Sequence, residues 1–264
     1  MVKCLELEGV HTLFGYPGAA ICPFYDALAG SSLHHVLVRT EQNAAHAASG
    51  YARVSGRVGV CVATSGPGAT NLLTGIASAY MDSIPLVVIT GQVRSDLLGR
   101  DVFQEADITG AAEPFTKHSY IVKKAADLPR VFKEAFHIAS TGRPGPVLID
   151  LPKDITAAET EYEPRPAAGP RPSVPPKEER LQMTLNRLQS CEKPLIYFGG
   201  GIISSGAEAE LLALAEAQDI PVCSSMMGLG GFPPDHRLWL GMVGMHGTLA
   251  ANRAARECDL LLAC

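Results

Sequence analysis

The chain has 264 residues, 47% hydrophobic and 19% charged, with a net charge of −5; this allows one large or two ordinary globular domains and gives no electrostatic reason to expect a nucleic acid or an anionic membrane as partner. Its seven cysteines are odd in number and lack CxxC or Cys/His metal spacing, so they read as small buried residues of a reduced compartment, with no metal site. No apolar run reaches membrane-spanning length and no signal peptide is apparent, so the expected location is cytoplasmic.

Residues 1–9 open in a helical pattern closed by Gly9. Thr12–Phe14 reads as a strand running into the turn Gly15-Tyr16-Pro17-Gly18-Ala19-Ala20, which opens a helix through Leu28. Strand-like runs follow at Val36–Val38 and Val58–Ala63. Between them Ala44, Ala45, Ala48, Tyr51 and Ala52 mark one buried helix face. The first run ends in Arg39-Thr40-Glu41 and the second in Thr64-Ser65-Gly66-Pro67-Gly68. In an open parallel sheet, the carboxyl ends of strands are where ligands bind, so Glu41 and the SGPG turn share a rim.

A second helix is expected over Thr70–Met81, with Leu72, Leu73, Ile76, Ala79 and Tyr80 inward, and a buried strand over Pro85–Thr90. Gly91 to Asp107 is polar and aperiodic, the mark of a functional or mobile loop. Tyr120–Val122 is a strand. The helix after it is capped by Asp127, with Pro129 in its first turn, a stripe of Leu128, Val131, Phe132, Ala135, Ile138 and Ala139, and an end at Gly142. Pro146–Leu151 is another buried strand. This alternation predicts a doubly wound parallel α/β domain over residues 1–156.

Residues 157–177 hold six prolines without apolar periodicity, the composition of a stiff linker. Strand–helix alternation resumes over 178–264. Strands are expected at Leu195–Phe198, Pro221–Cys223 and Leu260–Leu262, and helices at Ala207–Ala217 and Gly247–Cys258. A chain that stops inside a core-strand pattern reads as a fragment, its second α/β domain truncated.

Glu41 admits two readings, a carboxylate stabilising a helix N-terminus or a catalytic acid. Gly199-Gly200-Gly201 resembles a dinucleotide loop but has Ser204 where the third glycine of G-x-G-x-x-G belongs, so a tight strand-to-helix turn explains it as well. His46 and His246 lack partners at metal-ligand spacing.

Eight segments then appear in order: FGYPGAA (14–20), RTEQNAAHAASGYAR (39–53), TSGPGATN (64–71), PLVVITGQV (85–93), DVFQEAD (101–107), TGRPGPVLIDLPKDI (141–155), MGLGGFP (227–233) and GMVGMHGT (241–248). Together they resemble the large catalytic subunit of acetolactate synthase (acetohydroxyacid synthase), a thiamin-diphosphate enzyme carrying FAD. The EQ-x-A-x-H…GYAR and SGPG-x-x-N parts are shared by thiamin-diphosphate enzymes generally. FQEAD, DLPKD and GMHGT narrow the resemblance to the acetolactate synthase branch.

The resemblance implies an aminopyrimidine-binding domain over 1–156, a central FAD-binding-like domain over 178–264, and Mg²⁺ ligands in a third domain, since the family's GDG…N motif does not occur in this sequence. It makes Glu41 the acid that hydrogen-bonds the aminopyrimidine and drives ylid formation, for decarboxylation of pyruvate and transfer of its two-carbon unit to a second 2-oxo acid. Pro17, Gly18, Thr64, Pro67, Gly68 and Asn71 would line the pyrimidine pocket, with Gln104 facing the substrate side. Lys153 would lie at the channel mouth, beside Ala19, which replaces the family's second glycine and puts acceptor preference in question. Arg143, Gly199, Gly200, Gly201, Met226, Val243, Gly244, Met245, His246 and Gly247 would hold a structural FAD. The implied partners are a second copy in a homodimer or tetramer with sites between subunits, and a small regulatory subunit. The fragment alone is expected to be inactive. Other readings are sulfoacetaldehyde acetyltransferase, pyruvate oxidase, oxalyl-CoA decarboxylase, or a non-catalytic dinucleotide-binding module.

Overall fold

The computed structural model describes residues 1–164 and 175–264, and the chain divides into two compact units at residues 171 and 172. The expected proline-rich linker 157–177 therefore lies partly outside the described residues. In unit 1 the order is α1 (Val2–Leu7), β1 (Thr12–Gly15), α2 (Cys22–Ala29), β2 (His34–Leu37), α3 (Glu41–Ser55), β3 (Gly59–Ala63), α4 (Pro67–Thr70) and α5 (Leu73–Met81). It continues with β4 (Leu86–Gln92), α6 (Ile108–Ala112), β5 (His118–Ile121), α7 (Leu128–Ser140), β6 (Pro146–Pro152) and α8 (Lys153–Ala157).

The six strands pair in parallel, in the order β2-β1-β3-β4-β6-β5. Every residue of β3, β4 and β6 is buried, which is why these strands are continuous apolar runs rather than alternating ones. Successive side chains still divide between two faces. Val60, Val62, Val87 and Ile89 pack with Leu13, Phe24 and Phe132 on one, whereas Cys61, Val88 and Leu148 meet the alanine face of α3 and Leu72 and Ile76 on the other. Each fully buried Phe or Leu contributes about 1.5–3 kcal/mol of hydrophobic stabilisation. From β1 the chain turns to β2 on one side and to β3 on the other. That reversal opens a crevice at the carboxyl ends of β1 and β3, the ligand position of doubly wound sheets.

Local departures from the sequence reading have physical causes. The single helix expected over Thr70–Met81 is two helices. Pro67, with its preset φ, starts α4 in the SGPG turn itself; Asn71 and Leu72 keep helical dihedrals, but the Leu72 amide bonds to Ala69 at 3.1 Å, a tighter turn that separates α4 from α5. Asp127 precedes α7 without accepting a capping hydrogen bond; its carboxylate faces Arg130 at 3.6 Å instead. In α7 it is Phe136, not Ile138, that is fully in the core. β4 runs on to Gln92, and the stretch after it contains a 3₁₀ turn at Ser95–Leu97 and then α6.

Unit 2 comprises α9 (Glu178–Ser190), β7 (Pro194–Phe198), α10 (Gly200–Ser205), α11 (Glu208–Gln218), β8 (Val222–Ser224), β9 (Trp239–Met242), α12 (Leu249–Glu257) and β10 (Leu260–Ala263). Its strands are parallel in the order β10-β7-β8-β9, around Ile196, Phe198, Leu211, Val222 and Phe232, with the Phe232 ring stacked on Trp239 at 5.9 Å. The helix expected from Gly247 begins at Leu249, because Thr248 caps it, accepting the Ala251 N–H at 3.0 Å. α9 has no buried residue, although Leu181, Leu185 and Leu188 recur along it at helical spacing.

Candidate functional site

The crevice between β1 and β3 is built from backbone that only small residues allow. A Cβ on Gly18 would lie 2.5 Å from the Thr64 Cβ, and one on Gly68 would lie 2.7 Å from Thr64 Cγ2 and 3.6 Å from Glu41 Oε1. The Ala20 N–H donates to Thr64 Oγ1 at 3.3 Å, which ties the turn after β1 to the end of β3. Glu41 is the first residue of α3, half-buried, and Asn71 Nδ2 donates to its Oε2 at 2.9 Å. Glu41, Thr64, Gly68 and Asn71 are therefore gathered at one carboxyl rim with the Pro17–Gly18 turn. Pro67 and Ala19 are exposed on the same turns.

Gln104 joins them through its backbone. Gly66, at φ +58°, packs so closely that a Cβ there would come within 2.7 Å of the Gln104 carbonyl, and Gln104 itself holds φ +59°. The loop carrying it is knotted by Glu105, whose carboxylate accepts the amides of Gly99, Arg100 and Val102. These backbone donors hold the Glu105 carboxyl below its ordinary value. Lys153 opens α8 and is exposed; its neighbour Asp154 accepts from the Ser95 amide at 2.8 Å and from the Ser95 hydroxyl. Arg143 lies apart, before the amino end of β6, donating to Ser83 Oγ at 2.7 Å and to the Met81 carbonyl at 3.1 Å.

Several polar residues near this rim escaped sequence reasoning. Asp150, 1% exposed, accepts from Thr90 Oγ1 at 2.7 Å and from Gln92 Nε2 at 2.9 Å. Burial pushes its carboxyl up to about 7, with Asp107 adding to the rise, against the lowering effect of those hydrogen bonds. Behind Gly15, the Tyr25 hydroxyl and His35 Nε2 are buried without partners, and the two rings meet edge-on at 5.1 Å. Burial raises the tyrosine and lowers the histidine. The only sequence signal for Thr90, Gln92 and Asp150 is a polar residue at the end of an otherwise apolar strand.

In unit 2 the reversal of strand order lies between β7 and β10, and the Gly199 amide donates there to the Cys264 carbonyl at 3.0 Å. Gly199, Gly200 and Gly201 form a strand-to-helix turn, and a Cβ on Gly200 would meet the Met227 carbonyl at 3.1 Å. Met226 follows β8. Val243, Gly244, Met245, His246 and Gly247 follow β9, in a loop pinned by Asn252 to both the amide (2.8 Å) and the carbonyl (2.9 Å) of Gly244. All thus lie at the carboxyl rim of the second sheet. Met226 and Met245 are exposed there, and Ser224 Oγ is buried without a partner. Among the described residues, no three His, Cys, Asp or Glu side chains form a metal cluster.

The chain matches two protein-family descriptions. Residues 1–111 match the thiamine pyrophosphate enzyme N-terminal TPP binding domain, and residues 181–264 the thiamine pyrophosphate enzyme central domain. It is 55% identical over 269 aligned residues to a probable acetolactate synthase large subunit of Methanocaldococcus jannaschii, covering 100% of this chain and 46% of that protein. It is 51% identical over 267 to the acetolactate synthase large subunit of Corynebacterium glutamicum, covering 100% of this chain and 43% of that protein. The chain spans less than half the length of these curated relatives.

Proposed function

The chain belongs to the thiamine pyrophosphate enzyme family, and from that premise we propose that it is part of an acetolactate synthase large subunit, with residues 1–156 as the aminopyrimidine-binding domain. The observation that carries this reading is the Glu41–Asn71 pair beside the Thr64–Gly68 turn, at the strand-order reversal of the first sheet. Without a Cβ, Gly18 and Gly68 let both turns close directly on the Thr64 side chain, and the half-buried Glu41 carboxyl stands beside them at the rim. The residues fit thiamin diphosphate, whose thiazolium carbon supplies the nucleophile for decarboxylating a 2-oxo acid.

In this mechanism Glu41 exchanges a proton at the pyrimidine nitrogen. Asn71 orients its carboxyl group by donating its side-chain amide to Oε2. Pro17, Gly18, Thr64, Pro67 and Gly68 would hold the aminopyrimidine. Gln104 faces the substrate, and Lys153 and Ala19 border its approach. Pyruvate is the donor, and pyruvate or 2-oxobutyrate the acceptor, in isoleucine and valine biosynthesis in the cytoplasm.

FAD would be held by Gly199, Gly200, Gly201, Met226 and Val243–Gly247 in the central domain, 178–264, whereas Arg143, expected to join them, belongs to the other unit, where Ser83 and the Met81 carbonyl engage it. The exposed Met226 and Met245 and the unpartnered Ser224 hydroxyl at that rim favour such a ligand. Mg²⁺, a second copy of the chain and a small regulatory subunit complete the proposed assembly.

The test is a chimera in which residues 1–264 replace the matched part of the Methanocaldococcus jannaschii relative. It is expected to form acetolactate from pyruvate with thiamin diphosphate, Mg²⁺ and FAD. Glu41→Gln should lower turnover at least 10²-fold with an unchanged melting curve. Near-normal turnover of that variant would remove Glu41 from the chemistry.

A further inference from the structure

We propose that Gln92 is a positioning residue for the loop that carries Gln104, tying it to the end of β6 through a buried side-chain amide. The inference rests on the thiamin-site reading only for its functional meaning; its structural content stands on the following contacts.

Thr90 and Asp150 are register partners across β4 and β6, and Gln92 lies two residues along from Thr90, hence on the same face. Both Gln92 Nε2 hydrogens are used, one to Asp150 Oδ2 at 2.9 Å and one to the Ala106 carbonyl at 2.8 Å; its Oε1 accepts the Val93 amide at 2.9 Å. Ala106 is two residues beyond Gln104, and Glu105 between them gathers residues 99–102. At its other end the loop is held at Ser95 by Asp154. Residues 150–154, the DLPKD segment, thus grip the loop at both ends, through Asp150 with Gln92 and through Asp154 directly. Gln104, left-handed and pressed on Gly66, depends on that grip for its register against the SGPG turn. Buried side-chain amides have few alternative partners, so the tie is specific rather than a surface contact.

The experiment is peptide-resolved hydrogen exchange on the 264-residue chain, comparing the native sequence with Gln92→Met, Asp150→Leu and Asp150→Asn. Gln92→Met and Asp150→Leu should speed exchange at residues 99–107 at least tenfold while strands β4 and β6 keep their protection. Asp150→Asn, which still accepts from Gln92 and can donate to Thr90, should behave as the native chain. Unchanged exchange at 99–107 in Gln92→Met would overturn the proposal, and so would an equal rise throughout unit 1, the sign of a merely structural role. Failure of the thiamin reading would show separately. Thiamin diphosphate with Mg²⁺ would then leave exchange at residues 41 and 64–71 unchanged in the chimera, and the Gln92 comparison would be untouched.

Discussion

Asp150 makes unit 1 pH-sensitive in a direction opposite to most carboxylates. Its carboxyl titrates near 7 in the folded chain against an ordinary 3.8, because burial disfavours the anion more than Thr90, Gln92 and the Leu151 amide favour it, and because Asp107 repels it. A proton bound more tightly in the folded state stabilises that state fully below pH 4, and the contribution is lost as pH rises through 7. At about 1.4 kcal/mol per pH unit, a rise from 3.8 to about 7 corresponds to on the order of 4 kcal/mol, a large share of a domain's net stability. Asp150→Asn removes the titration while keeping an acceptor for Gln92. Urea unfolding of both chains from pH 4 to pH 8.5, with unit 1 followed by hydrogen exchange of β4 and β6 amides, isolates the effect. Glu8, also raised to about 7 by burial, is common to both chains and cancels in the difference. The native chain should lose stability relative to the variant as pH rises, by several kcal/mol over the range. Parallel pH profiles would refute the reasoning.

Gly18→Ala forces a Cβ to within 2.5 Å of the Thr64 Cβ; it should cost about 1–3 kcal/mol, read as a lower melting temperature, and abolish thiamin diphosphate binding measured by calorimetry on the chimera. Thr248→Val removes the α12 cap and leaves the Ala251 amide without its acceptor. It should cost unit 2 about 1 kcal/mol, followed in urea by fluorescence of Trp239, the chain's single tryptophan.

The parallel α/β class was legible because β3, β4 and β6 are buried throughout and the α3 alanines recur at helical spacing; both signals survive in one dimension. The rim position of Glu41 was legible for the same reason, since it follows from which strand end precedes which helix. Helices α4 and α6 were not, being four and five residues long, too short for periodicity to register. The Gln92–Asp150–Thr90 cluster was invisible because its members are 60 residues apart at the widest and meet only through the β4–β6 register. Local patterns carry element type, whereas polar pairing across a sheet is decided by topology.

The choice of partner for Glu41 bears on the proposed chemistry. A lysine or arginine at residue 71 would place a full positive charge against the carboxyl group that the proposed chemistry uses. An apolar residue would leave it free to rotate among rotamers. Asn71 fixes one oxygen, Oε2, by a 2.9 Å amide hydrogen bond, while Oε1 lies near the Gly68 backbone, 3.6 Å from where a Cβ there would stand. In the proposed chemistry the oxygen that Asn71 does not hold, Oε1, is the one left to exchange the proton. The helical turn started at Pro67 ends its first hydrogen-bonded segment at Asn71, whose side chain reaches Glu41. The start of the helical turn at Pro67, ahead of the Thr70 expected from the sequence, sets Asn71 at the end of α4, where it meets Glu41.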